Sequence, residues 1–148
     1  MNYLYLGYAS LHLPAVAAAL HLEQLDAATV PGAEELVSLP YFRQAAKEED
    51  GRLFSAGSDS NGHQVYLLCV KAQPEVVARA VESLLGLYRL PLQEAKIVPC
   101  LPYNPQPAIW GRILFRCGLH GLEKELAGRM ARNCFKDLVR TVAEAKQQ

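Results

Sequence analysis

Short runs of strand-forming residues alternate with helical stretches along this chain, and that alternation admits few folds. Residues 2–7 (NYLYLG) are aromatic and aliphatic and end at Gly7, the pattern of a strand closed by a turn residue. Pro14 suits the first turn of a helix, where its missing N–H costs nothing, and residues 15–22 (AVAAALHL) have the propensity to continue it. A second helical stretch follows Pro31 and ends before Pro40, and the polar residues 41–50 read as a further short helix. Residues 52–57 (RLFSAG) and 63–70 (HQVYLLCV) flank a spacer containing Asn61-Gly62, the strongest hairpin signal in the chain. Pro74 opens a helix with Val77, Val81, Leu84, Leu85 and Tyr88 at helical spacing. Residues 95–100 (AKIVPC) read as a strand, and Pro102, Pro105 and Pro107 as a stiff loop. Helix then resumes over residues 108–117 and over the last twenty residues. The expected fold is α/β: one domain over residues 1–148, a three-layer sandwich with a mixed sheet of about five strands and one central hairpin.

Length and composition fit that expectation. A chain of 148 residues can build one ordinary core and is short for two. With 51% hydrophobic and 20% charged residues it is neither disordered nor fibrous. Lys+Arg and Asp+Glu are both 15, so no global field draws it to nucleic acid or an anionic membrane. No apolar run approaches the roughly 18–20 residues of a membrane span, and the opening Met1-Asn2-Tyr3-Leu4-Tyr5 lacks a basic signal region. Cys69, Cys100, Cys117 and Cys134 form no Cys-x-x-Cys pair, so the favoured reading is reduced thiols in a cytoplasm rather than a disulfide framework.

Charge is uneven along the chain. No Lys or Arg precedes Arg43, while Glu23, Asp26, Glu34 and Glu35 are acidic; from Ile109 onward eight bases face four acids. The two ends either pack together and cancel, or leave a basic face for an acidic partner or a phosphate.

Candidate chemistry concentrates in the first strand-to-helix turn, Gly7 to Pro14. In an open α/β sheet, ligands bind beyond the carboxyl ends of strands. A helix N-terminus there offers unpaired N–H groups and partial positive charge to an anion. Ser10 and His12 either add a hydroxyl and an imidazole to such a site or satisfy local backbone groups; neither a Walker A loop nor Gly-x-Gly-x-x-Gly is present. Cys134 to Arg140 matches the bare Cys-x₅-Arg of cysteine-dependent phosphatases, but helix formers fill the interval where a phosphate loop needs small residues, and core packing is the better account. Cys117-x-x-His120 has half a metal spacing with no second half, and His21 and His63 have no local partner. Arg129, Arg132, Lys136 and Arg140 share one helical face, with Glu125 and Glu144 spaced to pair along it. Without interleaved aromatics that stripe reads as a solvated face rather than a nucleic-acid surface. Trp110 caps the core or lines a pocket.

Several blocks stand in an ordered spacing over nearly the whole chain: Tyr8-Ala9-Ser10-Leu11-His12 followed by Ala17-Ala18-Ala19-Leu20-His21-Leu22; Leu39-Pro40-Tyr41-Phe42 with Lys47-Glu48; Gly57, Asp59, Gly62, Val65 and Tyr66; and Gly118-Leu119 through Phe135, Leu138 and Val139. As a set they resemble a small uncharacterised bacterial family of endospore formers, domain-of-unknown-function family three-one-eight-nine, whose opening reads Tyr-Gly-Gly-x-His-Ser-Ser. The resemblance implies no activity, but it points to the same turn, with His12 in the place of the family's histidine. It also implies departures here: His12-Leu13-Pro14 replaces His-Ser-Ser, Glu49-Asp50-Gly51 replaces Asp-His-Gly, and Glu123-Lys124-Glu125 replaces a Gly-Arg-Pro that begins a late strand. At the C-terminus two readings conflict. Leu126, Met130, Cys134, Leu138 and Val142 indicate one helix from about residue 122, whereas the family pattern implies a short strand near 125–128, a turn and then a helix. The gapless resemblance favours the strand.

Two functions follow as expectations. The first is a phosphate- or nucleotide-ligand protein, phosphotransfer or hydrolytic, with His12 catalytic, Tyr8 and Ser10 binding, and Arg129 or Arg132 supplying fixed charge to a phosphorylated small molecule. The second is a non-catalytic interaction or regulatory protein on the same scaffold. No metal ligand set is indicated, and the sequence assigns neither a cofactor nor an oligomeric state.

Overall fold

A computed structural model describes residues 1–89, 91, 94–102 and 106–147. In chain order the elements are β1 (Asn2–Tyr8), α1 (His12–His21), α2 (Ala33–Val37), a single 3-10 turn (Lys47–Glu49), β2 (Leu53–Ser58), β3 (Gln64–Val70), α3 (Pro74–Leu87), β4 (Ala95–Pro99), α4 (Gln106–Arg116) and α5 (His120–Gln147). The strands form one mixed sheet in the order β2-β3-β1-β4. β1 runs parallel to both of its neighbours, and β2 pairs antiparallel with β3 at one edge.

Side-chain alternation along β1 divides the sheet into two faces. Tyr3 and Tyr5 join Val65, Leu67 and Cys69 of β3 in the larger core, under α1 and α5. Leu4 and Leu6 join Leu68, Val70 and Ile97 on the opposite face, where Val77 of α3 meets them. The result is the expected three-layer α/β class. The two outer layers differ in depth: all ten residues of α1 are buried, whereas Pro74 is the one buried residue of α3. Alanine makes the former possible, since Ala15, Ala17, Ala18 and Ala19 let α1 lie close to both the sheet and α5. On α3 the predicted helix forms, but Leu84 and Tyr88 stay exposed.

The hairpin forms where Asn61-Gly62 places it. Asp59 holds the turn by accepting the Asn61 and His63 N–H groups at 2.9 and 2.8 Å. Gly62 supplies the positive φ of 80° that a side chain resists.

The strand expected near 125–128 is absent. That segment lies inside α5, and the sheet has four strands among the described residues. Periodicity decides the matter over such a length: Ala127, Met130, Ala131, Cys134, Phe135, Leu138 and Val142 form one buried stripe against α1 and α2. A strand there would turn alternate members of the stripe to solvent. Cys134 is thus a core residue, as its apolar neighbours indicate. No disulfide joins any of the four described cysteines. Pro105 of the proline loop lies outside the described residues.

Candidate functional site

The chain leaves β1 and β4 toward helices on the α1–α5 face and leaves β3 toward α3 on the other. Connections therefore part beyond the carboxyl ends of β1 and β3, where open α/β sheets bind ligands. A cavity of about 430 Å³ lies there. It is walled by the β1–α1 turn, the start of α3, the segment after β4, and one side each of α4 and α5.

The β1–α1 turn is stitched from both sides. Ala9 N–H donates to the Val70 carbonyl at 2.8 Å, Leu11 N–H donates to the Arg43 carbonyl at 3.1 Å, and the Gln44 amide donates to the Ala9 carbonyl at 3.3 Å. These bonds hold Ala9 at φ 56°, a left-handed conformation costing an alanine on the order of 1–2 kcal/mol. A glycine would adopt this conformation at no such cost.

The turn delivers His12 as the first residue of α1, a helix with no side-chain cap. Its Nε2 lies 2.9 Å from Oε1 of Glu123, in the first turn of α5. Both residues are deeply buried, 3% and 4% exposed, and the Phe42 ring packs on the imidazole at 4.7 Å. The pair is held by proximity rather than by an aligned hydrogen bond, and both His12 Nδ1 and Glu123 Oε1 lack hydrogen-bond partners among the described residues. With the imidazole N–H at Nε2, the nitrogen next to the Glu123 carboxylate, Nδ1 is left as an acceptor.

Tyr8, Ser10 and His12, expected from sequence, all line the cavity. Arg129 and Arg132 do not. Arg129 pairs with Glu125 at 2.6 Å on the exposed face of α5, and Arg132 is exposed on the same helix. Arg140 likewise pairs with Glu144 at 3.0 Å. Among the described lining residues the cation is Arg112 of α4, which the sequence presented only as one of the eight bases after Ile109. Glu123 was missed as well, although a signal existed: it falls four residues before Ala127 on the apolar stripe of α5, where a charged residue marks a buried carboxylate. Trp110 lies outside the lining and is 58% exposed.

The model of one protein family matches residues 2–147, from the start of β1 to the end of α5. The chain belongs to DUF3189, a family described as proteins of unknown function. The DUF3189 match spans every wall of the cavity. No curated protein and no solved structure matches the chain. Among the described residues, no group of three His, Cys, Asp or Glu side chains is arranged to hold a metal, and no helix is long and apolar enough to cross a membrane. Cys117, half of the metal-like spacing, is exposed, and His120 packs its ring on Phe115 at 5.0 Å.

A second cluster of polar groups unites residues that had no partner in sequence. His21, the last residue of α1, takes a hydrogen bond from the Tyr5 hydroxyl at Nδ1, 2.7 Å, and meets Asp59 with Nε2 at 3.3 Å. His63 Nδ1 meets the same Asp59 oxygen at 3.0 Å. This clasp ties the hairpin to α1 at the sheet end away from the cavity. Burial holds the His21 imidazole below its ordinary value, overcoming the opposing pull of Asp59. Burial works against ionisation of Asp59 too, but the His63 N–H, the His21 ring, the Asn61 N–H and the His63 ring outweigh it and set its pKa at about 2. Both folded values lie below the unfolded ones, so the unfolded chain binds more protons and acid destabilises the fold. The melting temperature should hold above about pH 6.5, fall as His21 is forced to charge, and fall again from about pH 4 toward pH 2. The second stage should shrink in Asp59→Asn. A melting temperature flat from pH 7 to pH 3 would contradict the clasp.

Proposed function

We propose that this protein binds a phosphorylated small molecule in the cavity and moves a proton on it, as a hydrolytic or phosphotransfer enzyme of the cytoplasm. His12 carries the proton at Nδ1, and Glu123 orients the ring and balances its charge. The observation behind the reading is the His12–Glu123 pair itself, deeply buried and incompletely hydrogen-bonded on a cavity wall. Such a pair is a poor way to stabilise a fold, because desolvation offsets most of its attraction. It is a good way to hold a base ready. Ser10, the uncapped start of α1 and Arg112 supply donors and fixed charge for a phosphate, so Arg112 takes the role expected of Arg129 or Arg132.

A second reading, a non-catalytic interaction protein, is favoured by one observation: α4 exposes Ile109, Trp110 and Ile113 together. Thermal unfolding against inorganic phosphate, phosphosugars, nucleotides and divalent metals separates the two. A ligand at about 100 times its Kd adds roughly 2.7 kcal/mol, which raises the melting temperature by on the order of 5–10 °C. His12→Gln should abolish that shift and Trp110→Glu should leave it unchanged. No shift with any compound, or a full shift in His12→Gln, would overturn the catalytic reading.

A further inference from the structure

We infer that the ligand is an aliphatic phosphate monoester rather than a nucleotide, a narrowing that rests on the phosphate reading above. Charge is the first ground. Among the described lining residues Arg112 is the one Lys or Arg, and the same lining holds two carboxylates, Glu75 and Glu123. A single phosphate group is matched by one guanidinium and the His12 and Leu13 N–H groups, the two that remain at the start of α1, where Pro14 has none and no side chain competes as a cap. A diphosphate or triphosphate brings further negative charge toward Glu75 and Glu123, with no glycine-rich loop to receive it.

The second ground is the body of the cavity. Leu13, Leu101, Pro102, Pro107, Ile109 and Met130 make its wall aliphatic. A nucleobase gains most from stacking on an aromatic face. The imidazole of His12 is already packed against Phe42 at 4.7 Å, which leaves Tyr8 as the remaining ring in the described lining. An alkyl chain needs no such face and gains with every methylene it buries. At about 430 Å³ the cavity has room for a phosphate and a chain of several carbons. The apolar wall and the sparse positive charge thus select the same kind of molecule.

Calorimetric titration of the intact chain with inorganic phosphate, hexyl phosphate, adenosine monophosphate and hexanoate tests this. Hexyl phosphate should bind at least about 30-fold more tightly than inorganic phosphate, since each buried methylene contributes roughly fourfold. Adenosine monophosphate should bind no more tightly than inorganic phosphate. Ile109→Asn, an uncharged polar change at a half-exposed position of α4, should narrow the advantage of hexyl phosphate over inorganic phosphate by more than about fivefold. Adenosine monophosphate binding more tightly than hexyl phosphate would overturn the aliphatic assignment while the phosphate reading stands. Hexanoate equalling hexyl phosphate would overturn the phosphate headgroup, and no binding by any of the four would overturn both.

Discussion

Gly7→Ala is expected to destabilise the protein by about 3 kcal/mol or more and to lower its melting temperature by on the order of 10 °C. A Cβ at this position would collide with the Ser10 carbonyl oxygen and come within 2.6 Å of Pro14 Cγ and 3.1 Å of Pro14 Cδ. Neither neighbour is the loose end of a long side chain. Ser10 O is backbone in a turn held by hydrogen bonds to β3 and the 43–44 segment, and Pro14 belongs to the fully buried α1. Relief would require α1 to move away from the sheet, and close-packed interiors resist such shifts. Because α1 carries His12, the same displacement should also remove the ligand-induced rise in melting temperature. Gly121→Ala is the control. A Cβ there meets nothing within 4 Å, and the residue lies in the first turn of α5, so alanine should be neutral or stabilising by up to about 1 kcal/mol. Denaturant unfolding of the two variants gives the comparison. A Gly7→Ala protein within about 1 kcal/mol of the parent would show that the turn yields more easily than its bonding indicates.

His12→Leu and Glu123→Leu are expected to differ sharply, although they break the same contact. Removing His12 leaves a carboxylate that is 4% exposed without the imidazole 2.9 Å from it, a loss of about 3–5 kcal/mol. Removing Glu123 leaves an imidazole that can remain neutral, with one polar atom fewer satisfied, a loss of about 1–3 kcal/mol. The double variant replaces the pair by apolar side chains in an environment that already holds Leu13, Ala127 and Met130. It should return to within about 1 kcal/mol of the parent or exceed it, so the two losses will not add. All three variants should lose the response to ligand. That combination, stability recovered without function, is the signature of a pair kept for its chemistry. Strictly additive losses, or a double variant several kcal/mol below the parent, would make the pair a structural element instead.

Much of the fold was legible in local pattern. The apolar strand-forming runs at residues 2–7 and 63–70, proline in the first turns of α1 and α3, and Asn61-Gly62 each act within a few residues, and each element formed where those features place it. The C-terminus tested this logic hardest. There the apolar period from Leu126 to Val142 opposed the motif pattern of the resembling family, and the period prevailed because burying that stripe against α1 and α2 needs a continuous helix. The turn bearing Tyr8, Ser10 and His12 was equally readable, since a strand ending in glycine before a helix start defines the place where a sheet exposes its carboxyl end.

What stayed hidden was which residues meet across the chain. Glu123 reaches His12, and Asp59, already beside His63 in the hairpin, reaches His21, because the fold brings distant segments together. The basic stripe of α5 showed the converse. Its spacing correctly implied pairing of Arg129 with Glu125 and of Arg140 with Glu144, yet only the packing of α5 decided that this face points away from the cavity and that Arg112 lines it instead. The sequence by itself therefore determined the elements, their class and the turn at which α1 begins, since these follow from dihedral preference and periodic burial over a few residues. Tertiary structure alone decided the cavity and its charged partners, because contacts between residues a hundred positions apart depend on strand order and helix orientation, which no local spacing encodes.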